Sequence, residues 1–201
     1  MVANFSRNAI VNFHNNHLWH DENPHAILES HFQVQFAFNV WVGIIGDFLI
    51  GPVFLPLRLN GASYLHFLED ELPLEDIPLM LRNRMWFMHD GAPPHFSLAV
   101  RQFLNRKFAN RWIGRGTQRP NHLWPARSPD LNPVDFFLWG QLKSLVYATP
   151  IQNEKDLRNC IIDGCERIRN TPGIFERVRQ SMERRVEACI MAAGGHFQQL
   201  L

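Results

Sequence analysis

No stretch of the 201 residues approaches the roughly eighteen consecutive apolar residues of a membrane helix. The N-terminal MVANFSRNAIVNF has neither the apolar run nor the small-residue cleavage site of a signal peptide. Cysteine is scarce. Cys160, Cys165 and Cys189 are odd in number and lack any framework spacing, which excludes a disulfide scaffold and fits a reducing, intracellular compartment. Internal repeats and low-complexity tracts are missing as well. The expectation is a soluble, non-secreted protein with no membrane partner.

A large net charge is also absent, but the formal total of +1 hides a division. Residues 1–80 carry 2 basic and 9 acidic side chains (net −7), and residues 81–201 carry 18 and 10 (net +8). A polyanion is therefore expected to meet the second part. Hydrophobic residues make up 46% of the chain, with 16 Phe and 6 Trp. At this size a chain buries roughly 70% of its unfolded surface, so neither disulfides nor a structural metal is required, and disordered or fibrous classes are excluded.

Residues 33–55, QVQFAFNVWVGIIGDFLIGPVFL, form two apolar runs broken at Gly46-Asp47, the pattern of a β-hairpin. A helix is expected from near Ser63, with Tyr64, Leu65, Phe67, Leu68 and Leu72 inward; the acidic cluster Glu69–Glu71, Glu75 and Asp76 reads as a solvated face. Arg84-Met-Trp-Phe-Met-His-Asp90 reads as a strand buried on both faces that delivers Asp90 at its C-terminal edge, where α/β sheets bind ligands. Next comes a helix over about 95–108, with Phe96, Ala99, Val100, Phe103, Leu104 and Phe108 at helical spacing. A short apolar piece, His122-Leu-Trp124, precedes Asn132, a good N-cap. Pro133 suits the first helical position and puts Asp135 in the first turn of a helix running to about 147. Two amphipathic helices follow. The first, over 153–169, turns Leu157, Ile161, Cys165 and Ile168 inward. The second, over 173–193, turns Phe175, Val178, Met182, Val186 and Cys189 inward and stops at Gly194-Gly195. The order of elements is that of an α/β fold with a mixed sheet.

Asp90 and Asp135 carry the chemistry. Two carboxylates brought to one sheet edge are able to share hard divalent cations with substrate phosphate oxygens. The alternative is that Asp135 only stabilises a helix N-terminus and Asp90 only caps a turn. Between them, from Gly91 to Pro129, lie seven basic residues (Arg101, Arg106, Lys107, Arg111, Arg115, Arg119 and Arg127) and no acidic one. That is the footprint expected of a nucleic-acid backbone site, with a solubilising surface as the plainer reading. Within the run, ANRWIGRGTQRPNH reads as a flexible basic loop carrying Trp112. His89 and His95 flank Asp90, placed to orient the carboxylate, to touch phosphate or to stand by. His14, His17, His20 and His25 have a spacing that admits zinc, but the surrounding asparagines and the lack of cysteine favour hydrogen-bonded loop histidines. The three cysteines read as core thiols.

HDGAPPH at 89–95, followed by WPARSPDLNPVDFFLWGQLK at 124–143, resembles the catalytic domain of mariner-superfamily transposases. The resemblance extends upstream through NFHNNHLWHDENPHAI and VWVGIIGDFLIGPVFLP and covers nearly the whole chain. It implies a ribonuclease-H-like mixed sheet flanked by helices over residues 1–150, with 151–201 as a C-terminal helical extension of the same domain. It implies an acidic triad binding two Mg²⁺ or Mn²⁺ ions, cleavage and transfer of DNA strands, and a nuclear setting. Asp90 matches the second acid and Asp135 the third, while Asp130 belongs to the motif's loop. The 44 residues between Asp90 and Asp135 exceed the family's usual gap. The first acid falls at or just before Met1 and Val2, where this chain has no carboxylate, so the first strand is expected to be largely missing and cleavage to be lost. The partner implied is DNA, with a homodimer left open and no small-molecule substrate. The alternative is a non-catalytic module that binds nucleic acid or a protein partner.

Overall fold

The computed structural model describes residues 1–7, 36–75, 77–117 and 128–201. Alternation along the central strand organises the fold. β1 (Val2–Ser6), β2 (Ala37–Ile45) and β3 (Phe48–Leu55) form an antiparallel sheet in that order, and β2 sends successive side chains to opposite faces. Val40 and Val42 enter one core with Phe5, Leu138, Leu142, Leu157 and Ile161, whereas Trp41 enters another with Tyr64, Phe67, Leu104 and Trp112. The sheet is thus a middle layer between two sets of helices. The hairpin turns at Gly46, whose φ of 56° suits glycine.

On one side lie α1 (Gly61–His66), α2 (Leu79–Arg84) and α3 (Leu98–Lys107). Asn60 and Ser63 close a reciprocal capping box on α1, and a π-helical turn, Phe67–Glu71, continues it. Two short parallel strands stand beside α3: β4 (Phe87–Met88) and β5 (Trp112–Ile113), paired Phe87↔Trp112 and Met88↔Ile113. On the other side lie α4 (Trp139–Val146), α5 (Glu154–Arg169) and α6 (Ile174–Met191). Leu157, Ile161, Cys165 and Ile168 of α5 join the core of the sheet, so residues beyond 150 share that core with β1–β3. Burial pushes the Cys165 thiol up to about 12, in keeping with an inert core thiol.

Several expectations are corrected. The first strand is present from Val2 and pairs with β2 across Val2↔Trp41 to Ser6↔Ala37. The run from Arg84 to Asp90 is a strand only at Phe87–Met88: Arg84 ends α2, and Trp86 is half exposed. Trp112 is no loop residue. It is 1% exposed in β5, with its Nε1 donating to Asn105 Oδ1 at 2.8 Å. Ala99 and Val186 face solvent and Cys189 is only partly buried, since α3 and α6 pack along narrower stripes than the spacing implied. His122–Trp124 and Asp76 fall outside the described residues.

Candidate functional site

β4 ends two residues before Asp90, and the turn through Gly91-Ala-Pro-Pro94 folds back over the carboxylate. Asp90 Oδ1 accepts the Ala92 N–H at 3.0 Å and the His95 Nδ1–H at 2.5 Å. An ionised carboxylate only accepts, which fixes the proton on Nδ1. Burial alone would raise Asp90. The His95 hydrogen bond and charge, with the Ala92 N–H, outweigh it and bring the group down to about 2.

Asp135 reaches the same place from the start of the helix that leads into α4. Asn132, 1% exposed, uses its Oδ1 to accept the Val134 N–H at 3.1 Å and its Nδ2 to donate to Asp135 Oδ2 at 2.6 Å. Burial raises the Asp135 carboxyl, Asn132 opposes it, and the negative charge of Asp90 raises it further. The two carboxylates are therefore close enough to repel. Met1, in line with them at the head of β1, exchanges both backbone hydrogen bonds with Val42, N to O at 2.8 Å and O from N at 3.0 Å. Its amino group is brought down to about 5 by burial, against the pull of Asp90 and Asp135. No third carboxylate, histidine or cysteine joins Asp90 and Asp135 as a metal-binding group among the described residues.

Two partly buried, mutually repelling carboxylates fit one hard divalent cation. Among the described residues they are not joined by the further donors of a two-ion centre. Behind Asp90, His89 is 1% exposed with both ring nitrogens unpaired, and burial lowers it to about 3, so it is neutral.

The basic residues divide. Arg101 and Arg115 converge on the Phe96 ring, at 4.6 and 4.3 Å from its centroid. The Arg115 stem also packs on Gly91, where an added Cβ would lie 3.0 Å from its Cδ. That puts a positive wall directly beside Asp90. Arg106 and Lys107 lie exposed on the last turn of α3, with Lys107 over Phe103. Arg111 is turned inward: its guanidinium donates to the Asn83 and Met85 carbonyls at 2.5 and 3.2 Å, which ties two turns together instead of facing a partner. His95, 2% exposed, is too deep to meet a phosphate strand and serves Asp90 instead. Arg119, Arg127 and the histidines at 14, 17, 20 and 25 lie outside the described residues. Asp130 faces Arg185, 3.8 Å away, and takes no part in the carboxylate pair. Asn132 and His95 are the residues sequence reasoning undervalued. The i, i+3 spacing of Asn132 to Asp135 was the available signal, and none marked His95 over His89.

No protein-family model matches the chain. Over 95 residues it is 35% identical to the Caenorhabditis elegans transposable element Tc3 transposase, a match covering 47% of this chain and 25% of the relative. Over 110 residues it is 30% identical to the Tc1 transposase of the same organism, covering 54% and 35%. The matched stretch thus spans about a quarter to a third of these curated relatives. Among solved structures, the Mos1 transposase catalytic domain with raltegravir and Mn superposes with a TM-score of 0.63 at 21% identity, over 81% of this chain and 78% of that one. The Mos1 mariner paired-end complex with Mn gives 0.66 at 18%, over 98% and 56%. The fold is the ribonuclease-H-like mixed sheet that the motifs implied. No helix among the described residues is long and apolar enough to cross a membrane.

Proposed function

We propose that this chain, which has the fold of the Mos1 catalytic domain, is a mariner/Tc1-type transposase catalytic domain that binds DNA beside a single divalent-cation site formed by Asp90 and Asp135. The observation that carries this reading is the convergence of the two carboxylates at one edge with Arg115 packed on Gly91 next to them. A bound Mg²⁺ or Mn²⁺ would supply Lewis-acid polarisation of a phosphodiester oxygen. Asp90 and Asp135 would hold the ion, and Arg101 and Arg115 would hold the DNA strand against it. The ancestral reaction is hydrolysis of DNA phosphodiesters followed by attack of the freed 3′-hydroxyl on target DNA, and the nucleus is the compartment proposed for it.

A second reading is a module that binds nucleic acid without cutting it, supported by the absence of a third carboxylate beside Asp90 and Asp135 among the described residues. With one carboxylate fewer, strand cleavage is expected to fall by orders of magnitude while DNA binding persists. Nicking of supercoiled plasmid in Mn²⁺, with and without Asp135→Ala, separates the two. Nicking abolished by the substitution supports residual catalysis, and binding without nicking supports the module. In salt titrations, Arg101→Ala and Arg115→Ala should each reduce the slope of log affinity against log salt by about 1. A slope unchanged in both variants removes the proposed DNA contact.

A further inference from the structure

Asp90 presents one oxygen to the protein and the other to its surroundings. Oδ1 is taken by the Ala92 N–H and the His95 Nδ1–H, while the side chain as a whole is 38% exposed. His95 in turn is held by flat neighbours: Tyr64 at 4.3 Å between ring centroids, and His89 at 5.1 Å with only 10° between the planes. Tyr64 and His89 are themselves almost wholly buried. The donor that faces Asp90 is therefore fixed by packing, well away from solvent.

We propose that His95 is a positioning residue: its Nδ1–H pins Oδ1 of Asp90 and so leaves Oδ2 as the oxygen offered to a cation shared with Asp135. The proposal rests on the reading of Asp90 and Asp135 as a cation site. An unpinned aspartate distributes itself among side-chain rotamers, and only some of them aim a carboxylate oxygen at Asp135. Fixing one oxygen from behind removes that freedom before the ion arrives. Partners of this kind behind a metal ligand typically contribute about 10–100-fold in metal affinity.

The competing account is that His95 only fills space between Tyr64 and the turn. Two substitutions make opposite predictions. His95→Phe keeps a ring of similar size for Tyr64 and His89 to pack against, but has no donor. His95→Asn gives up the ring and keeps an amide N–H close to the position of Nδ1. A packing role favours Phe over Asn, and a positioning role favours Asn over Phe.

The probe is Mn²⁺ alone, titrated into the full chain, with free Mn²⁺ read by electron paramagnetic resonance well below each variant's melting temperature. Wild type is expected to bind, Asp90→Ala to lose binding, His95→Phe to weaken by about 10–100-fold, and His95→Asn to stay close to wild type. His95→Phe binding as wild type does, or His95→Asn binding no better than His95→Phe, overturns the positioning role while the cation site stands. If wild type takes up no Mn²⁺, or Asp90→Ala binds undiminished, the cation site itself is wrong and the role of His95 falls with it.

Discussion

Gly114, just after β5, tests whether the packing behind Asp90 matters to the site. Its backbone is outside the left-handed region, so alanine is objectionable there on space alone. A Cβ would lie 2.7 Å from His89 Cδ2, 2.7 Å from Trp112 Cζ3 and 3.0 Å from His89 Nε2, where ordinary contact begins at 3.4 Å. Neither ring is a flexible end. Trp112 is tied to Asn105 and is 1% exposed, and His89 is wedged against His95, Tyr64, Phe87 and Trp112. Overpacking of this kind costs about 1–3 kcal/mol. For a chain of this length, about 2 kcal/mol lowers the melting temperature by roughly 4–8 °C. Because His89 stacks on His95, the displacement should also weaken Mn²⁺ binding, although Gly114 touches neither aspartate. The assay is a double-mutant cycle in urea. In a His89→Ala background the cost of Gly114→Ala should shrink by about 1 kcal/mol or more, the Trp112 contact accounting for the remainder. A Gly114→Ala penalty below about 0.5 kcal/mol, or one unchanged in the His89→Ala background, refutes the reasoning.

Ile161→Ala, at a fully buried position of α5 packed into the core of the sheet, should cost about 2–5 kcal/mol. Tryptophan fluorescence and far-UV circular dichroism should still report one coincident transition, and two separated ones would show that 151–201 is a unit of its own. The Asp90 carboxyl, lowered to about 2 in the folded chain against about 3.9 unfolded, contributes stability that is present above pH 4 and lost as pH falls toward 2. At 38% exposure that contribution is discounted to about 1 kcal/mol. It should be largely absent from His95→Phe, whose acid-unfolding limb should flatten; identical limbs for the two proteins would contradict the assigned cause.

What could be read in the sequence was what has a long period or a long motif. The hairpin around Gly46-Asp47 and the four inward residues of α5 repeat over enough positions to fix the element and its face. β5 left no such trace. Two residues, Trp112 and Ile113, sit inside a basic, glycine-containing stretch, and only their pairing with Phe87 and Met88 makes a strand of them. The carboxylates were legible through HDGAPPH and SPDLNPVD. Their neighbours were not, because composition counts charges without showing where they are spent. Arg111 sits in the same basic run as Arg115, yet one closes on backbone carbonyls and the other lies over Gly91.

The opposite displacements of the two aspartates are the electrostatic reason the proposed site would favour a divalent cation. Asp90 is held ionised by a hydrogen bond from inside the protein, and its charge then works against ionisation of Asp135, which burial has already raised. A divalent cation between them removes that conflict, since it favours both charged forms at once. One such ion balances two carboxylates. Among the described residues no third carboxylate joins Asp90 and Asp135 to serve a second ion. The positive wall of Arg101 and Arg115 depends on none of this: it is built on Phe96 and Gly91 and survives whether the third acid is present or not. In the proposed reading, affinity for a DNA strand and the chemistry performed on it would therefore rest on separable sets of residues, Arg101 and Arg115 for the first and Asp90 and Asp135 for the second.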